Sequence, residues 1–183
     1  MSDTGLPIAI RPGEEADFSS LLELDHAYAT EYVWQMEIDQ TAPRTGARFR
    51  ETRLPRPMTV SYPRRKDSLE VEWKQRAAIL VAEQGGKLCG YASLADGQAP
   101  GAVCLTDLVV AASQRRKGVG TRLVLAAQTW ARQHGRERLL LEMQSKNHPA
   151  IRLAQKLAFE FSGYNDNYYE NKEIALFFAK TLT

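Results

Sequence analysis

A short run of cations and glycines between two apolar segments is suited to bind a phosphate group. It reads SQRRKGVGT over residues 113–121, after the strand-like residues 103–111 and before a helical pattern. The first amides of a helix lack intrahelical partners and lie at the positive end of its dipole, so they can hold a pyrophosphate. Gly118 and Gly120 let the backbone approach such an anion closely, and the three preceding cations attract it.

Two common nucleotide motifs are absent from this run. A Gly-x-Gly-x-x-Gly motif would need its third glycine at Leu123, and no glycine is followed by Lys-Ser or Lys-Thr. The chain therefore lacks the dinucleotide and phosphate-loop patterns, and a Gly-x-Gly pair by itself is a weak signal. The pattern that remains is Arg-x-x-Gly-x-Gly from Arg115 to Gly120, followed by a helix, a strand, an asparagine and another helix.

From about residue 103 to residue 182 the chain resembles the GNAT superfamily of acyl-CoA-dependent N-acetyltransferases. The pyrophosphate loop of that superfamily reads Gln/Arg-x-x-Gly-x-Gly/Ala, and the resemblance continues through residues 139–147 and 149–159. Within the superfamily, the carboxy-terminal half is most similar to the streptothricin acetyltransferases and the ribosomal-protein alanine acetyltransferases. Both groups share a Leu-Glu strand and a final hairpin that contains tyrosine.

The resemblance implies an α/β (α+β) fold, a single domain over residues 1–183 and acetyl-CoA as cosubstrate. Its sheet is mixed, mostly antiparallel and splayed between the fourth and fifth strands, where the coenzyme binds. The amides of Val109 and Val110 would then hold the thioester carbonyl and stabilise an oxyanion, while Asn147 would contact the pantetheine or only cap a helix. The donor-binding residues that the resemblance implies are Leu108, Val109, Val110, Arg115, Arg116, Lys117, Gly118, Val119, Gly120, Thr121 and Asn147.

Two carboxylates compete for the role of general base. An alkyl amine with a pKa of about 10.4 is protonated at neutral pH, so an acceptor amine must lose a proton before it attacks. Glu142 follows three leucines, where burial makes a carboxylate a better base, and the resemblance gives it that role. Asp107 lies within a second apolar segment and could bind a cationic acceptor or relay a proton. Either carboxylate could instead be an ion-pair partner.

The chain departs from the superfamily at two positions. Ala154 stands where the superfamily usually has a tyrosine that protonates the leaving thiolate. The thiolate would leave unassisted, or a tyrosine of the final hairpin would act instead, and Tyr164 and Tyr168 are the catalytic candidates, with Tyr169 beside them. Ala158 replaces a glycine after the last helix, where a positive φ would cost an alanine on the order of 1 kcal/mol.

The elements that must position these residues follow from hydrophobic periodicity and turn residues. We expect an amphipathic helix from Glu14 to about Thr30 and an irregular or edge-strand segment over residues 46–63. Between them, Trp34, Met36 and Ile38 are too sparse to classify and could continue as a second short helix. The remaining predicted elements are a strand at 8–11, a helix at 68–76, a hairpin of 77–82 with 88–94, a strand at 103–111, a helix at 121–134, a strand at 139–143, a helix at 149–157 and a final hairpin of 164–169 with 173–180.

Composition limits the class of protein. The chain has 183 residues, of which 44% are hydrophobic and 25% charged, as in a globular domain. No apolar run approaches the roughly 20 residues that span a bilayer, and residues 1–5 do not resemble a signal peptide, so we expect a cytoplasmic protein. Cys89 and Cys104 lie in apolar segments without a base or histidine ligands tied to them, which predicts no catalytic thiol and no metal site.

Charge is distributed unevenly between two neighbouring segments. Residues 12–43 carry only acidic charges, and residues 44–76 are mostly basic. The two segments could form complementary faces, or the acidic one could border a site for a cationic acceptor. Nucleic-acid binding is disfavoured because the cations alternate with prolines and lack an aromatic stacking platform. The sequence is also compatible with a homodimer.

The predicted reaction is direct transfer of acetyl from acetyl-CoA to a primary amine, without a covalent acyl-enzyme. The first acceptor to consider is a small cationic amine, such as a streptothricin-like antibiotic or a polyamine. A protein amino terminus is the second. An acyl-CoA-binding module without catalysis is the third interpretation, because Ala154 removes the usual acid.

Overall fold

The computed structural model describes residues 6–97 and 99–183. The strands of this part of the chain are β1 (Ala9–Pro12), β2 (Tyr28–Asp39), β3 (Gly46–Val60), β4 (Ala78–Gln84), β5 (Lys87–Asp96), β6 (Ala102–Val110), β7 (Arg138–Gln144), β8 (Glu160–Asn165) and β9 (Ala175–Thr181). The α-helices are α1 (Phe18–Leu22), α2 (Lys66–Trp73), α3 (Val119–Gln133) and α4 (His148–Lys156). Short 3-10 turns lie at Glu15–Asp17 and Ala112–Gln114.

The main sheet has seven strands in the order β1-β4-β5-β6-β7-β9-β8. All neighbouring pairs are antiparallel except β6 and β7, which run parallel. Backbone pairing extends only over Ala102–Leu105 of β6 and Arg138–Leu141 of β7, and the two strands separate beyond those residues. These are the fourth and fifth strands of the sheet, so the splayed α/β fold implied by the sequence is confirmed.

A β-bulge in β6 coincides with the point of separation. The register to β5 pairs Leu94 with Leu105 and Ser93 with Asp107, so Thr106 is an extra residue without an opposite partner. A bulge bends a strand and increases its twist. The bend therefore begins where the last β6 to β7 pair ends.

Helices cover both faces of the sheet. The helix α3 buries Leu123, Val124, Ala127 and Ala131 at the three- and four-residue spacing of an amphipathic helix, and these residues join the larger core cluster. On the opposite face, Leu21 of α1 and Trp73 of α2 pack in a second cluster with Tyr91 of β5. Replacing Leu123 by alanine would cost about 2–5 kcal/mol because its side chain is fully buried.

The prediction of a long helix from Glu14 to Thr30 is wrong beyond Leu22. The short helix expected around Trp34 is also wrong, because that residue lies in β2. Alternating aromatic and β-branched residues favour a strand in this region, and the paired strand β3 supplies its hydrogen bonds. The hairpin is tied to the end of β7, since Trp34 N donates to the Ser145 carbonyl over 2.9 Å.

The edge-strand expectation for residues 46–63 is confirmed in β3. The register pairs Thr30 with Met58 and Tyr32 with Arg53, which leaves residues 54–57 outside the ladder. The two prolines of this strand, Pro55 and Pro57, lie there, where a missing N–H breaks no ladder bond.

The acidic and basic segments meet as the two strands of this hairpin. Glu37 lies opposite Arg48 and forms an ion pair of 3.6 Å with Arg50. Glu15 of the acidic segment forms an ion pair of 2.8 Å with Lys74 of the basic segment. These contacts support complementary faces as the explanation of the charge distribution in this region.

The other predicted elements agree with the structure within a few residues, except at the final hairpin. The strand predicted from Tyr164 to Tyr169 is β8, which ends at Asn165, so Tyr168 and Tyr169 lie in the connection to β9. The expectation for residues 1–5 falls outside the described residues. None of the described helices is both long and apolar enough to cross a membrane.

Candidate active site

The glycine loop places a helix N-terminus at the open end of the β6 to β7 gap. Gly118 has a φ of 88° and precedes the first residue of α3, a conformation that favours glycine. The first helical bond runs from Arg122 N to Gly118 O, which leaves the amides of residues 118–121 without intrahelical partners. A Cβ on Gly120 would lie 3.4 Å from the Leu153 side chain of α4, so this glycine permits close packing of the two helices.

The three cations of the loop have different environments. The Arg115 side chain donates to the carbonyl oxygens of Val110 and Asp25, at 2.9 and 2.7 Å. Arg115 therefore fixes the loop to the end of β6 and to the segment after α1. Arg116 and Lys117 are exposed, and their charges are free to face an anion.

Alternation along β6 decides which of its amides face the gap. Ala111 N donates to Cys89 O, and the register pairs Val109 with Tyr91 and Val110 with Gly90. In an antiparallel ladder every second residue bonds to the same partner, so the Val109 amide faces β5. The amides of Leu108 and Val110 face the gap instead. The expectation that the Val109 amide contacts the thioester is corrected accordingly.

Glu142 lies at the bottom of the gap, one residue beyond Leu141, the last residue of β7 that is paired with β6. Its side chain is only 3% exposed. One carboxylate oxygen lies 2.5 Å from Arg64 Nη2, and the other accepts a hydrogen bond of 2.9 Å from the Tyr168 hydroxyl. The carboxylate lines a small cavity together with Tyr62, Arg64, Thr106, Leu108, Asn147 and Tyr169.

Asp107 has no exposed side-chain surface and is not among the cavity-lining residues. It accepts hydrogen bonds from the Tyr62 hydroxyl and from Thr106 Oγ1, the latter at 2.9 Å. It also forms ion pairs with Arg64 at 3.5 Å and Arg76 at 3.8 Å. These contacts favour the ion-pair interpretation of Asp107 over direct contact with an acceptor.

Sequence reasoning missed Arg64, which connects the two carboxylates. It is one of ten cations between residues 44 and 76, and nothing in its local sequence distinguishes it from Arg65. The available signal was indirect, because a carboxylate inside an apolar strand requires a partner. Burial opposes the charge of Arg64, but Asp107 and Glu142 outweigh it and raise its pKa above the ordinary value.

The structure separates the tyrosine candidates. Tyr168 donates to Glu142, and burial raises the pKa of its hydroxyl above the ordinary value. The Tyr169 ring lies 5.6 Å from the Arg64 guanidinium carbon. Tyr164 instead packs edge-on against Phe49 of β3, at 5.3 Å between ring centroids, and is not brought to the carboxylates.

Asn147 precedes α4 and accepts a hydrogen bond of 3.2 Å from Ala150 N, as a helix cap. It also lines the cavity that contains Glu142. Ala154 is fully buried in the core. Ala158 adopts a φ of 58°, the positive angle expected at this position.

The thiols lie in environments that suppress reactivity. Burial raises the pKa of Cys104 to about 12, with Glu142 as a further cause, and burial also raises that of Cys89. Both therefore stay protonated at neutral pH. In residues 6–97 and 99–183, no three side chains of His, Cys, Asp or Glu are grouped as a metal site.

Two features of this site resemble those of sites that bind phosphate-containing ligands. The amides of residues 118–121 have no intrahelical partners, as in anion sites at helix N-termini, and the gap between β6 and β7 opens beside Glu142. The model of the Acetyltransferase (GNAT) family matches residues 47–159. The chain belongs to this family, is an acetyltransferase and uses acetyl-CoA as cosubstrate.

Three acetyltransferases are similar to this chain over most of its length. Streptothricin acetyltransferase of Streptomyces lavendulae is 28% identical over 165 residues, which is 87% of this chain and 84% of that protein. The crystal structure of nourseothricin acetyltransferase has a TM-score of 0.81 at 24% identity, covering 96% of this chain and 99% of that one. A candidate streptothricin acetyltransferase from Bacillus anthracis, solved with acetyl coenzyme A, has a TM-score of 0.75 at 20% identity, with coverage of 96% and 99%.

Proposed function

We propose that this protein transfers an acetyl group from acetyl-CoA directly to a primary amine of a small cationic molecule, with an antibiotic of the streptothricin type as the first candidate. The observation that carries the proposal is the position of Glu142 at the separation of β6 and β7. A buried carboxylate in that place can remove the proton of an acceptor ammonium beside the donor arm.

The protein residues have distinct roles in this proposal. Acetyl-CoA supplies the acetyl group as a thioester: the amine nitrogen forms the new C–N bond, the C–S bond breaks, and coenzyme A leaves as a thiolate that takes up a proton from solvent. Glu142 accepts the acceptor's proton, and Tyr168 orients the Glu142 carboxylate through its hydrogen bond. The gap-facing amides of Leu108 and Val110 can donate to an oxyanion. The amides at the start of α3 hold the pyrophosphate, with Arg116 and Lys117 adding positive charge.

The choice of acceptor rests on the similarity to streptothricin acetyltransferase, which extends over most of both chains.

A panel of amines tests the acceptor class. Thiol release from acetyl-CoA is measured with streptothricin, spermidine and a peptide with a free amino-terminal alanine. We expect streptothricin to have a kcat/KM about 10-fold or more above the peptide. A higher value for the peptide would replace the small-molecule proposal with a protein amino-terminal acetyltransferase. Calorimetric binding of acetyl-CoA without thiol release for any amine would favour the coenzyme-binding module.

A further inference from the structure

We propose that Arg64 is a positioning residue, which bridges β6 and β7 where they separate and holds the Glu142 carboxylate in a fixed orientation. The inference rests on the proposed role of Glu142 as the base. It adds a residue from outside the coenzyme-binding strands to the machinery of proton transfer.

Arg64 binds both strands at the bulge. Its Nη1 lies 3.3 Å from the carbonyl oxygen of Thr106, the extra residue of the β6 bulge. Its Nη2 lies 2.5 Å from Glu142 on β7, immediately after the last pair between the two strands. One guanidinium therefore connects β6 and β7 at the first position where backbone pairing no longer does.

Contacts on several sides fix the guanidinium in place. Asp107 of β6 lies 3.5 Å from Nη1, and Glu72 of α2 lies 3.7 Å from Nε. The Tyr169 ring covers the guanidinium from the β8 to β9 connection, and the Arg64 side chain is 14% exposed. A planar fork of five donors can bind several partners at once, whereas a lysine ammonium cannot reproduce that geometry.

The charge of Arg64 affects catalysis because it lies beside the Glu142 carboxylate. Among the described residues, it is the cation that lies within ion-pair distance of Glu142. The other ionisable groups near that carboxylate are Asp107 and Cys104 on β6 and Tyr168 and Tyr169 on the β8 to β9 connection, none of which is cationic. An adjacent cation favours the ionised carboxylate, which is the form that can accept a proton.

Replacement of Arg64 separates positioning from folding. We expect Arg64→Ala to bind acetyl-CoA within about threefold of wild type and to lose about 10-fold or more in kcat. Added guanidinium ion should restore part of the rate. Arg65→Ala is the matched control, since Arg65 is exposed and pairs only with Asp67 in its described contacts.

Two further measurements test the role of Arg64. If Arg64→Ala does not fold, Arg64→Lys should bind acetyl-CoA within about threefold of wild type and still lose kcat, because the charge stays and the fork is lost. The second measurement needs no acceptor: the ¹³C NMR signal of the Glu142 carboxyl, assigned with Glu142→Gln, should move and broaden in the alanine variant, or in Arg64→Gln if the alanine variant does not fold, because the carboxylate loses the partner that fixes its orientation.

An unchanged kcat together with an unchanged Glu142 carboxyl signal would overturn the inference, as would a rate loss explained entirely by weaker acetyl-CoA binding. Failure of wild-type protein to acetylate any amine would instead refute the proposed function. The NMR comparison still decides the role of Arg64 in that case, so the two failures are distinguishable.

Discussion

The Tyr168 hydroxyl donates a 2.9 Å hydrogen bond to Glu142, so a phenol contacts the carboxylate directly where β6 and β7 separate. Burial and the nearby Glu142 raise the pKa of this phenol above its ordinary value. Tyr168 is therefore protonated at neutral pH and can orient the base through this hydrogen bond. It lies 26 residues beyond Glu142 in the chain, and only the fold of the β8 to β9 connection joins them.

Removal of this hydroxyl should slow turnover. We expect Tyr168→Phe to lower kcat about 10-fold or more, because the variant loses the hydrogen bond that orients Glu142. Tyr164→Phe is the matched control and should stay within about threefold of wild type, since the Tyr164 ring packs on Phe49 away from the carboxylates. Steady-state kinetics with the best acceptor measure both variants, and equal losses would contradict the assignment.

The environment of Cys104 predicts a reaction without an acyl-enzyme. Burial raises the pKa of its thiol to about 12, so thiolate is scarce at neutral pH. We expect Cys104→Ser to retain kcat within about threefold. Mass spectrometry of wild-type protein after incubation with acetyl-CoA should show no acetylated Cys104. Acetylation at Cys104 together with a large loss of rate in the serine variant would demonstrate covalent catalysis.

The donor side of the site could be predicted from sequence because its determinants are local. The nine residues 113–121 contain the glycines and the cations, and the helical pattern follows them directly. The helix α3 begins at Val119, two residues before the predicted start. Glu142 could be predicted as a candidate from sequence for the same reason, since its three preceding leucines indicate a buried strand.

The acceptor side depends on contacts between distant segments. Arg64 is selected from many nearby cations only because Asp107 and Glu142 converge on it. The hairpin of β2 and β3 was missed because Phe18, Leu21 and Leu22 follow helical spacing before the chain changes to a strand. The bulge at Thr106 leaves no evident pattern in the sequence, since it arises from pairing with β5.

The buried His26 should make stability depend on pH. Its Nδ1 lies 2.7 Å from the Leu24 carbonyl, so this nitrogen carries the proton and Nε2 accepts from the Tyr91 hydroxyl at 3.1 Å. Burial lowers the pKa of His26. The unfolded chain therefore binds the proton more readily, and this contribution to stability is complete above about pH 6.5 and is lost as pH falls through and below that value.

Urea unfolding at about pH 7.5 and pH 5 measures this effect, because the two values lie on either side of the ordinary histidine pKa. The free energy of unfolding should fall more in wild type than in His26→Gln over that range. Equal falls in wild type and His26→Gln would refute the role of His26.

The positive φ of Ala158 predicts a stabilising substitution. At a φ of 58° the alanine Cβ is strained, so Ala158→Gly should raise the free energy of unfolding by about 0.5–1 kcal/mol. Ala126→Gly in the interior of α3 provides the contrast and should lower it by about 1 kcal/mol. Chemical denaturation compares the two, and destabilisation by both glycines would show that the turn after α4 carries no such strain.

The most direct test of Glu142 as the general base is the turnover of Glu142→Gln at pH 7 with the best acceptor. We expect kcat to fall about 100-fold or more while acetyl-CoA binding stays within about threefold, because glutamine keeps the shape and cannot take the proton. Glu160→Gln, at an exposed position on β8, controls for loss of a carboxylate elsewhere. A fall of less than about threefold in kcat for Glu142→Gln would contradict the assignment of the base.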